Sequence, residues 1–325
     1  MMTLPPVEVL RPSSVAEALE ALRANPGARL LAGGTDIVPN LKYGMYDTQH
    51  LVALRGLSKE LRYAREDSEG LALGALCTID ELSQSELVLA RAPALADACA
   101  QIAGPQLRRM GTLGGNLCLD TRCVYINQTY FWRSAVGFCL KKDGTLCHVV
   151  AGGQRCVAAA SNDTAPVLLA LGASVRTVSP RGERVLPLSE FYLADGIHNS
   201  VLKSDELLTE VRIPAAAFAK KQAFAKLRTR AAIDFPALNF AVALELAGKT
   251  VRSITLAVGA LAARPALIKG LEDLQNRPAD ARLAEELARR AHKQCRPLTN
   301  IGIDPDWRRE ILPVLVRRTV LRALA

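Results

Sequence analysis

Five of the eight cysteines of this 325-residue chain fall between Cys118 and Cys156, in a stretch with the composition of a loop. Four of them are spaced Cys123, Cys139, Cys147 and Cys156, and glycine pairs lie close by at Gly114-Gly115 and Gly152-Gly153. A segment this long without helical or strand periodicity is uncommon inside a compact domain, so something must offset the entropy of ordering it. Four thiols point to a metal. Five aromatic residues, Tyr125, Tyr130, Phe131, Trp132 and Phe138, share the stretch and are expected to wrap that metal in a dry, low-dielectric shell.

Half of the residues are apolar, enough for substantial cores in two or three domains. The start of the chain, residues 1–8, lacks the basic region and apolar run of a signal peptide, and no apolar run reaches the ~20 residues of a membrane span. A cytoplasmic location is therefore expected, with no membrane partner. In a reducing compartment cysteines serve more often as buried thiols or metal ligands than as disulfides. Cys77, Cys99 and Cys295 stand singly in apolar or helical surroundings and are expected to be buried small hydrophobes.

The net charge of +9 comes without a nucleic-acid motif or a basic patch interleaved with aromatics, so no nucleic-acid partner is expected. Much of the excess lies after residue 280, at Arg282, Arg289, Arg290, Lys293, Arg308, Arg309, Arg317, Arg318 and Arg322. These read as a solvated helix face, or as a docking surface for an acidic partner.

A short strand is expected over 7–10, then a helix opened by the capping box Ser14-Val15-Ala16-Glu17 and stopped at Asn25-Pro26-Gly27. Next, the apolar strand Arg29-Leu30-Leu31-Ala32 runs into Gly33-Gly34-Thr35-Asp36-Ile37-Val38, with a helix expected up to Met45. Glycines let the backbone approach a ligand, and bare amides leading into a helix suit a phosphate or pyrophosphate. The same residues also read as a plain turn with Thr35 or Asp36 as N-cap. Their spacing is not G-x-G-x-x-G, so a Rossmann assignment gains no support.

A strand over 50–54 and Gly56-Leu57 close this first α/β unit. An alternating hairpin from Leu61 puts Leu71, Leu73 and Ala75 on one face, followed by a helix start at Thr78-Ile79-Asp80-Glu81 and one Ala-rich helix over 88–102. Gly111-Thr112-Leu113-Gly114-Gly115-Asn116 is a second glycine loop, whose amides, hydroxyl and carboxamide suit a phosphate or the polar edge of a heterocycle. Beyond the cysteines, Asp163 precedes an apolar run and reads as a helix cap in preference to a ligand for a hydroxyl. A hairpin over 174–186 turns at Pro180-Arg181-Gly182, and a connecting strand covers 203–214.

After Ala215-Ala216-Ala217, three antiparallel strands over 223–229, 238–247 and 251–261 and helices over 265–274, 279–292 and 306–324 make a separate α+β domain. The expected division is 1–56, 57–214 with the cysteine-rich insertion 118–158, and 218–325.

Leu31-Ala32-Gly33-Gly34-Thr35-Asp36, then Gly111-Thr112-Leu113-Gly114-Gly115-Asn116, then Asn162-Asp163 ahead of an apolar helix, in this order, resemble the FAD-binding medium subunit of the molybdenum hydroxylases. That family includes the flavin part of xanthine dehydrogenase and the medium subunit of aerobic carbon monoxide dehydrogenase. The resemblance covers nearly the whole chain, with Val258-Gly259 and Arg264-Pro265 matching in the C-terminal domain. It implies an α+β fold: a two-subdomain FAD-binding domain and a C-terminal domain of a three-stranded antiparallel sheet with helices. It also implies that Leu30, Leu31, Ala32, Gly33, Gly34, Thr35, Asp36 and Ile37 hold the FAD pyrophosphate. Thr112, Gly115 and Asn116 would contact the cofactor and Asp163 would bond the ribityl chain, while Lys226 and Asp234 match a segment that approaches the flavin. A cation near the pyrimidine edge favours the anionic reduced ring.

The insertion departs from most of that family and resembles the β subunit of 4-hydroxybenzoyl-CoA reductase, which implies a 4Fe-4S cluster on Cys123, Cys139, Cys147 and Cys156. Structural zinc sites pair their cysteines as C-x2–4-C, whereas the gaps here are fifteen, seven and eight residues. Such gaps leave room for a cluster, which needs four thiolates and a shielded shell. Cys118 is left outside this set, and His148 is read as an outer-shell or surface residue.

The histidines His50, His148, His198 and His292 are scattered, and no nucleophile-base pattern appears. Substrate chemistry is then expected in a large subunit with the molybdenum cofactor, with a small 2Fe-2S subunit between it and this chain. On the resemblance, the complex would remove the phenolic hydroxyl of 4-hydroxybenzoyl-CoA with electrons from a reduced ferredoxin, an acidic partner suited to the basic surface. Two other readings stand beside it: a medium subunit of an ordinary hydroxylase passing electrons to NAD or a quinone, and a non-enzymatic zinc-binding scaffold.

Overall fold

The computed structural model describes residues 3–325 and builds three sheets around the cysteine-rich stretch. Met1 and Met2, which open the expected 1–56 unit, lie outside the described residues. The first sheet is parallel, in the order β1 (Glu8–Leu10), β3 (His50–Ala53), β2 (Arg29–Leu31). The helix Val15–Ala24 connects β1 to β2, its Ser14 hydroxyl accepting from the Glu17 amide, and buries Ala18, Leu19 and Leu22 against Val52, Leu54 and Leu57. The following helix spans Ile37–Lys42 and stops short of Met45, because Gly44 turns the chain at φ +64°.

The second sheet is antiparallel, in the order β4 (Ala64–Asp67), β5 (Gly70–Gly74), β8 (Leu207–Pro214), β6 (Ser174–Ser179), β7 (Gly182–Pro187). The stretch expected to be a mere connector, 203–214, therefore supplies the middle strand, with Leu207, Leu208, Val211 and Ile213 buried. The single helix expected over 88–102 is two, Glu86–Arg91 and Pro93–Ala100. Pro93 has no amide to continue the ladder and is suited to open a new helix.

The C-terminal sheet is antiparallel, in the order β12 (Ala266–Leu267), β11 (Thr250–Gly259), β10 (Leu238–Ala247), β9 (Lys221–Leu227). It has four strands instead of the expected three. The expected helix over 265–274 is absent, because Ala266 and Leu267 pair with Val258 and Ala257, and Gly270, at φ +67°, turns the chain toward a short 3-10 turn at Glu272–Leu274. Both faces of this sheet are covered. Phe224, Ala241, Ala243 and Ala257 join the core of the second sheet, while Phe240, Val242, Leu244 and Leu256 pack under the helices Ala281–Gln294 and Pro305–Leu324. A strand buried on both faces reads as a continuous apolar run, as β10 does.

Arg308, expected on a solvated face, is fully buried. It donates to the carbonyls of Ala237 at 3.1 Å, Leu298 at 3.0 Å and Ala260 at 2.7 Å, joining the last helix to the sheet and to the loop before it. Arg289 and Arg290 are also committed, to Glu286 and, for Arg290, to Asp273, while Arg317 and Arg318 remain exposed. Cys77, Cys99 and Cys295 are buried in the apolar cores. No helix among the described residues is long and apolar enough to cross a membrane.

The insertion carries one helix, Tyr130–Ala135, and is held from several sides. Buried Arg133 donates to the carbonyls of Tyr43 at 3.0 Å and Gly44 at 3.1 Å, and the Tyr46 hydroxyl donates to Asp120 at 2.9 Å. On the other side the Val124 amide donates to the Asn300 carbonyl at 2.9 Å. The expected aromatic shell is only partly formed: Tyr130, Phe131 and Trp132 face outward, Phe131 with 81% of its surface exposed. Their helix spends its buried face on Arg133 instead.

Candidate cofactor site

A cavity of about 830 Å³ opens between the first sheet, the second glycine loop, the insertion and the C-terminal domain. That volume is within the range of small-molecule sites. Of the thirteen residues expected to hold a cofactor, Leu30, Ala32, Gly33, Gly34, Thr35, Asp36, Ile37, Thr112, Gly115, Asn116, Asp163 and Lys226 line it, and Leu31 does not.

The two glycine loops touch. A Cβ on Gly33 would stand 1.8 Å from the Met110 carbonyl oxygen, so no side chain fits between them. Among the described residues, nothing accepts a hydrogen bond from the amides of Gly33, Gly34, Thr35 or Asp36. Asp36 stands at the N-cap of the helix that follows, as the plain-turn reading has it, but its side chain makes no capping hydrogen bond, and the amides before it stay unexplained. Unmet backbone donors lining a cavity suit an anion. In the second loop Thr112 accepts from the Gly115 amide at 3.1 Å. The Asn116 side-chain oxygen accepts from the Thr164 hydroxyl at 2.6 Å, which fixes its orientation at the cavity wall.

Asp163 occupies the N-cap position of the helix Thr164–Ala170, but its side chain makes no capping hydrogen bond there. Its carboxylate accepts from Lys226 Nζ at 2.6 Å and from Asn239 Nδ2 at 2.9 Å, and Lys226 also donates to the Gln101 carbonyl at 3.2 Å. Burial pushes the Asp163 carboxyl upward, and the Lys226 charge and hydrogen bonds pull against it. The pair places an acceptor on the cavity wall, since each carboxylate oxygen can take a second donor. Gly259 makes room for Asn239, because a Cβ there would lie 2.2 Å from Asn239 Oδ1. Asp234, held near a pKa of about 2 by the Arg230 side chain, also lines the cavity.

Sequence reasoning gave no role to Arg122, Asn40, Phe235 or Gly302, all on the wall. Arg122 pairs with Asp36 and donates to Asn40 Oδ1 at 3.3 Å, and its guanidinium carbon lies 4.5 Å from the Phe235 ring centroid. Burial pulls its pKa down to about 10, so it stays charged at neutral pH. Cys118, set apart at the sequence level, also lines the cavity: it is open to that space, but the protein around it pushes the thiol up to about 12.

Of the four cysteines expected to hold a metal, Cys139 and Cys156 are buried, Cys123 and Cys147 are half-buried, and Cys123 alone lines this cavity. Burial pushes the Cys123 thiol up to about 11, aided by the charges of Cys156, Cys139 and Cys147. Among the described residues no three His, Cys, Asp or Glu side chains converge on a point where one ion would sit. A tight turn carries Cys139, whose carbonyl accepts from the Lys142 amide at 2.9 Å and the Gly144 amide at 3.2 Å. A Cβ on Gly196 would stand 2.7 Å from Cys156 Sγ. Lys141, within the electrostatic surroundings of Cys156, donates to Asp120 at 2.7 Å and the Gly196 carbonyl at 2.9 Å. His148 bonds the Phe138 carbonyl at 2.5 Å and stacks on Tyr125, outside the thiol set.

Residues 5–216 match the family model described as the FAD binding domain in molybdopterin dehydrogenase, and residues 222–323 match the CO dehydrogenase flavoprotein C-terminal domain. The carbon monoxide dehydrogenase medium chain of Hydrogenophaga pseudoflava is 27% identical over 100% of this chain and 99% of its own length. The aldehyde oxidoreductase FAD-binding subunit PaoB of Escherichia coli K12 is 31% identical over 78% of this chain and 81% of its own. A solved structure of the Hydrogenophaga pseudoflava carbon monoxide dehydrogenase superposes with a TM-score of 0.82 at 26% identity, covering 99% of each chain.

Proposed function

We propose, because this chain belongs to the FAD-binding medium subunits of the molybdenum hydroxylases, that it is the flavin relay of such an enzyme: its cavity holds FAD and passes electrons on to NAD or a quinone. The observation that carries the placement is the run of unmet amides from Gly33 to Asp36 facing the same cavity as the buried Asp163–Lys226 pair. The amides would take the pyrophosphate, Thr112, Gly115 and Asn116 would seat the cofactor, and Asp163 would accept from a ribityl hydroxyl. Lys226, already neutralised by Asp163, would act chiefly by holding that carboxylate in place. FAD bound there would supply a centre able to take and give electrons singly or in pairs.

In this reading a large molybdenum-cofactor subunit carries out substrate chemistry and a small 2Fe-2S subunit delivers the electrons, as no nucleophile-base set lines the cavity. The domain division 1–56, 57–214 and 218–325 is part of the same proposal.

One observation favours a second reading. Four buried or half-buried cysteines share the insertion at spacings that do not pair as those of a structural zinc site do, and a 4Fe-4S cluster needs four thiolates in a shielded shell. A cluster there could admit low-potential electrons from a reduced ferredoxin, as in a 4-hydroxybenzoyl-CoA reductase. FAD, iron and acid-labile sulfide in the anaerobically purified complex test both readings, with Cys139→Ser and Cys147→Ser as variants. FAD without iron beyond that of the partner subunits, unchanged in both variants, leaves the relay and removes the cluster. About four extra irons per FAD, lost in both variants, establishes the cluster. Ferredoxin-dependent reduction of the complex would then separate the reductase from the hydroxylase, and a colourless protein with zinc would overturn both in favour of the scaffold.

A further inference from the structure

We propose that Arg122 is a cofactor contact supplied by the insertion: its guanidinium binds the diphosphate of FAD, and through it the flavin site and the insertion stabilise one another. The inference rests on the placement of FAD in the cavity proposed above.

Arg122 stands at the end of the cavity where the unmet amides are, because its partner Asp36 directly follows Gly33-Gly34-Thr35. Its side chain is only 13% exposed. One terminal nitrogen is taken by Asp36 and the other by Asn40, while Nε is buried with no partner. Nε is shielded from the cavity, so the donors for a diphosphate are the second N–H of each terminal nitrogen, a planar fork that suits phosphate oxygens.

Charge leads to the same place. The charged side chains lining the cavity are Asp36, Asp163 and Asp234 against Arg122 and Lys226. A diphosphate adds negative charge to a wall already short of cations. Lys226 is sealed against Asp163 and the Gln101 carbonyl at 1% side-chain exposure. Arg122 is therefore the cation that can meet phosphate oxygens beside the first glycine loop.

The position of Arg122 depends on the insertion. Its amide donates to the Ala159 carbonyl at 2.8 Å and the Ala159 amide returns to its carbonyl at 2.7 Å, a bridge between the two ends of the insertion. The next residue is Cys123. Whatever orders the insertion orders Arg122, and binding at Arg122 must favour the ordered insertion by the same factor.

The test uses the full complex, stripped of flavin and titrated with FAD or riboflavin by fluorescence quenching at several salt concentrations. Arg122→Gln is expected to weaken FAD on the order of 10- to 100-fold, to flatten its salt dependence and to leave riboflavin unaffected. Arg122→Lys keeps the charge without the fork, so it is expected to weaken FAD less and to keep the salt slope; this variant decides the matter if Arg122→Gln fails to fold. Cys139→Ser should also weaken FAD, and should add little in the Arg122→Gln background. FAD affinity at the parental value in Arg122→Gln and Arg122→Lys, with binding lost in Gly33→Ala, overturns the role of Arg122 and leaves the cavity in place. Parental affinity in Gly33→Ala as well overturns the placement of FAD itself.

Discussion

Asp163 illustrates how far a single residue can be read. From sequence it is a polar residue before an apolar helix, and the cap is the local explanation. Its actual partners, Lys226 and Asn239, come from two strands of another domain, and no local pattern announces them. Arg122 was hidden for a related reason: it lies in a stretch read for its cysteines, and its neighbour Asp36 is far away in sequence. The glycines were legible because a loop that must pass close to another backbone can tolerate no side chain, as at Gly33. A prediction belongs to this scale. Lys226→Met strands the Asp163 carboxylate in a buried site and should cost about 3–5 kcal/mol. Burial already raises this carboxyl, and removing Lys226 raises it further. A raised carboxyl contributes stability at low pH that is lost as pH climbs through its folded pKa. The deficit of Lys226→Met relative to the parent should thus be largest near neutral pH and shrink on acidification. A deficit in urea unfolding that is constant with pH would show that the pair is not the source of the loss.

Among elements, those whose fate is set by local chemistry were readable. The first helix, with its Ser14 cap, and the strand pairs β6–β7 and β10–β11, with short turns between, form close to where periodicity puts them. Elements set by tertiary pairing were not. The strand β8 joins the halves of its sheet across long sequence separation, and residues 266–267 become an edge strand only because β11 is there to pair with. The last helix was legible as a helix but misread in its faces, since Arg308 points inward to three carbonyls. Arg308→Met preserves most of the volume and leaves those carbonyls without their donor. It should destabilise the protein on the order of 3 kcal/mol. The loop before this helix carries Ile301 and Gly302 on the cavity wall, so the same variant should also loosen FAD. Thermal unfolding and FAD titration check the two effects, and parental values in both would remove Arg308 as a clamp.

For the whole molecule, the composition of the cysteine-rich stretch marks it as the part whose order needs explaining, and the aromatic shell expected around it is only partly formed. Its helix turns three aromatic side chains outward, and its order comes from contacts to the first unit and the C-terminal domain. The insertion thereby closes one side of the cavity, with Arg122, Cys123 and Val124 on its wall. Periodicity cannot show such an arrangement, because it describes how a segment meets one neighbour and not how it fits among several. The family fold accounts for the cavity, and the cysteine-rich stretch supplies part of its wall.

The most direct measurement is the FAD content of the purified protein, set beside that of Gly33→Ala, whose new methyl would collide with the Met110 carbonyl and part the two glycine loops. The account predicts one FAD per chain in the parent, and a folded variant that neither retains FAD nor takes it up when added. A parent that binds no FAD, or a variant that binds it as tightly as the parent, would contradict the account.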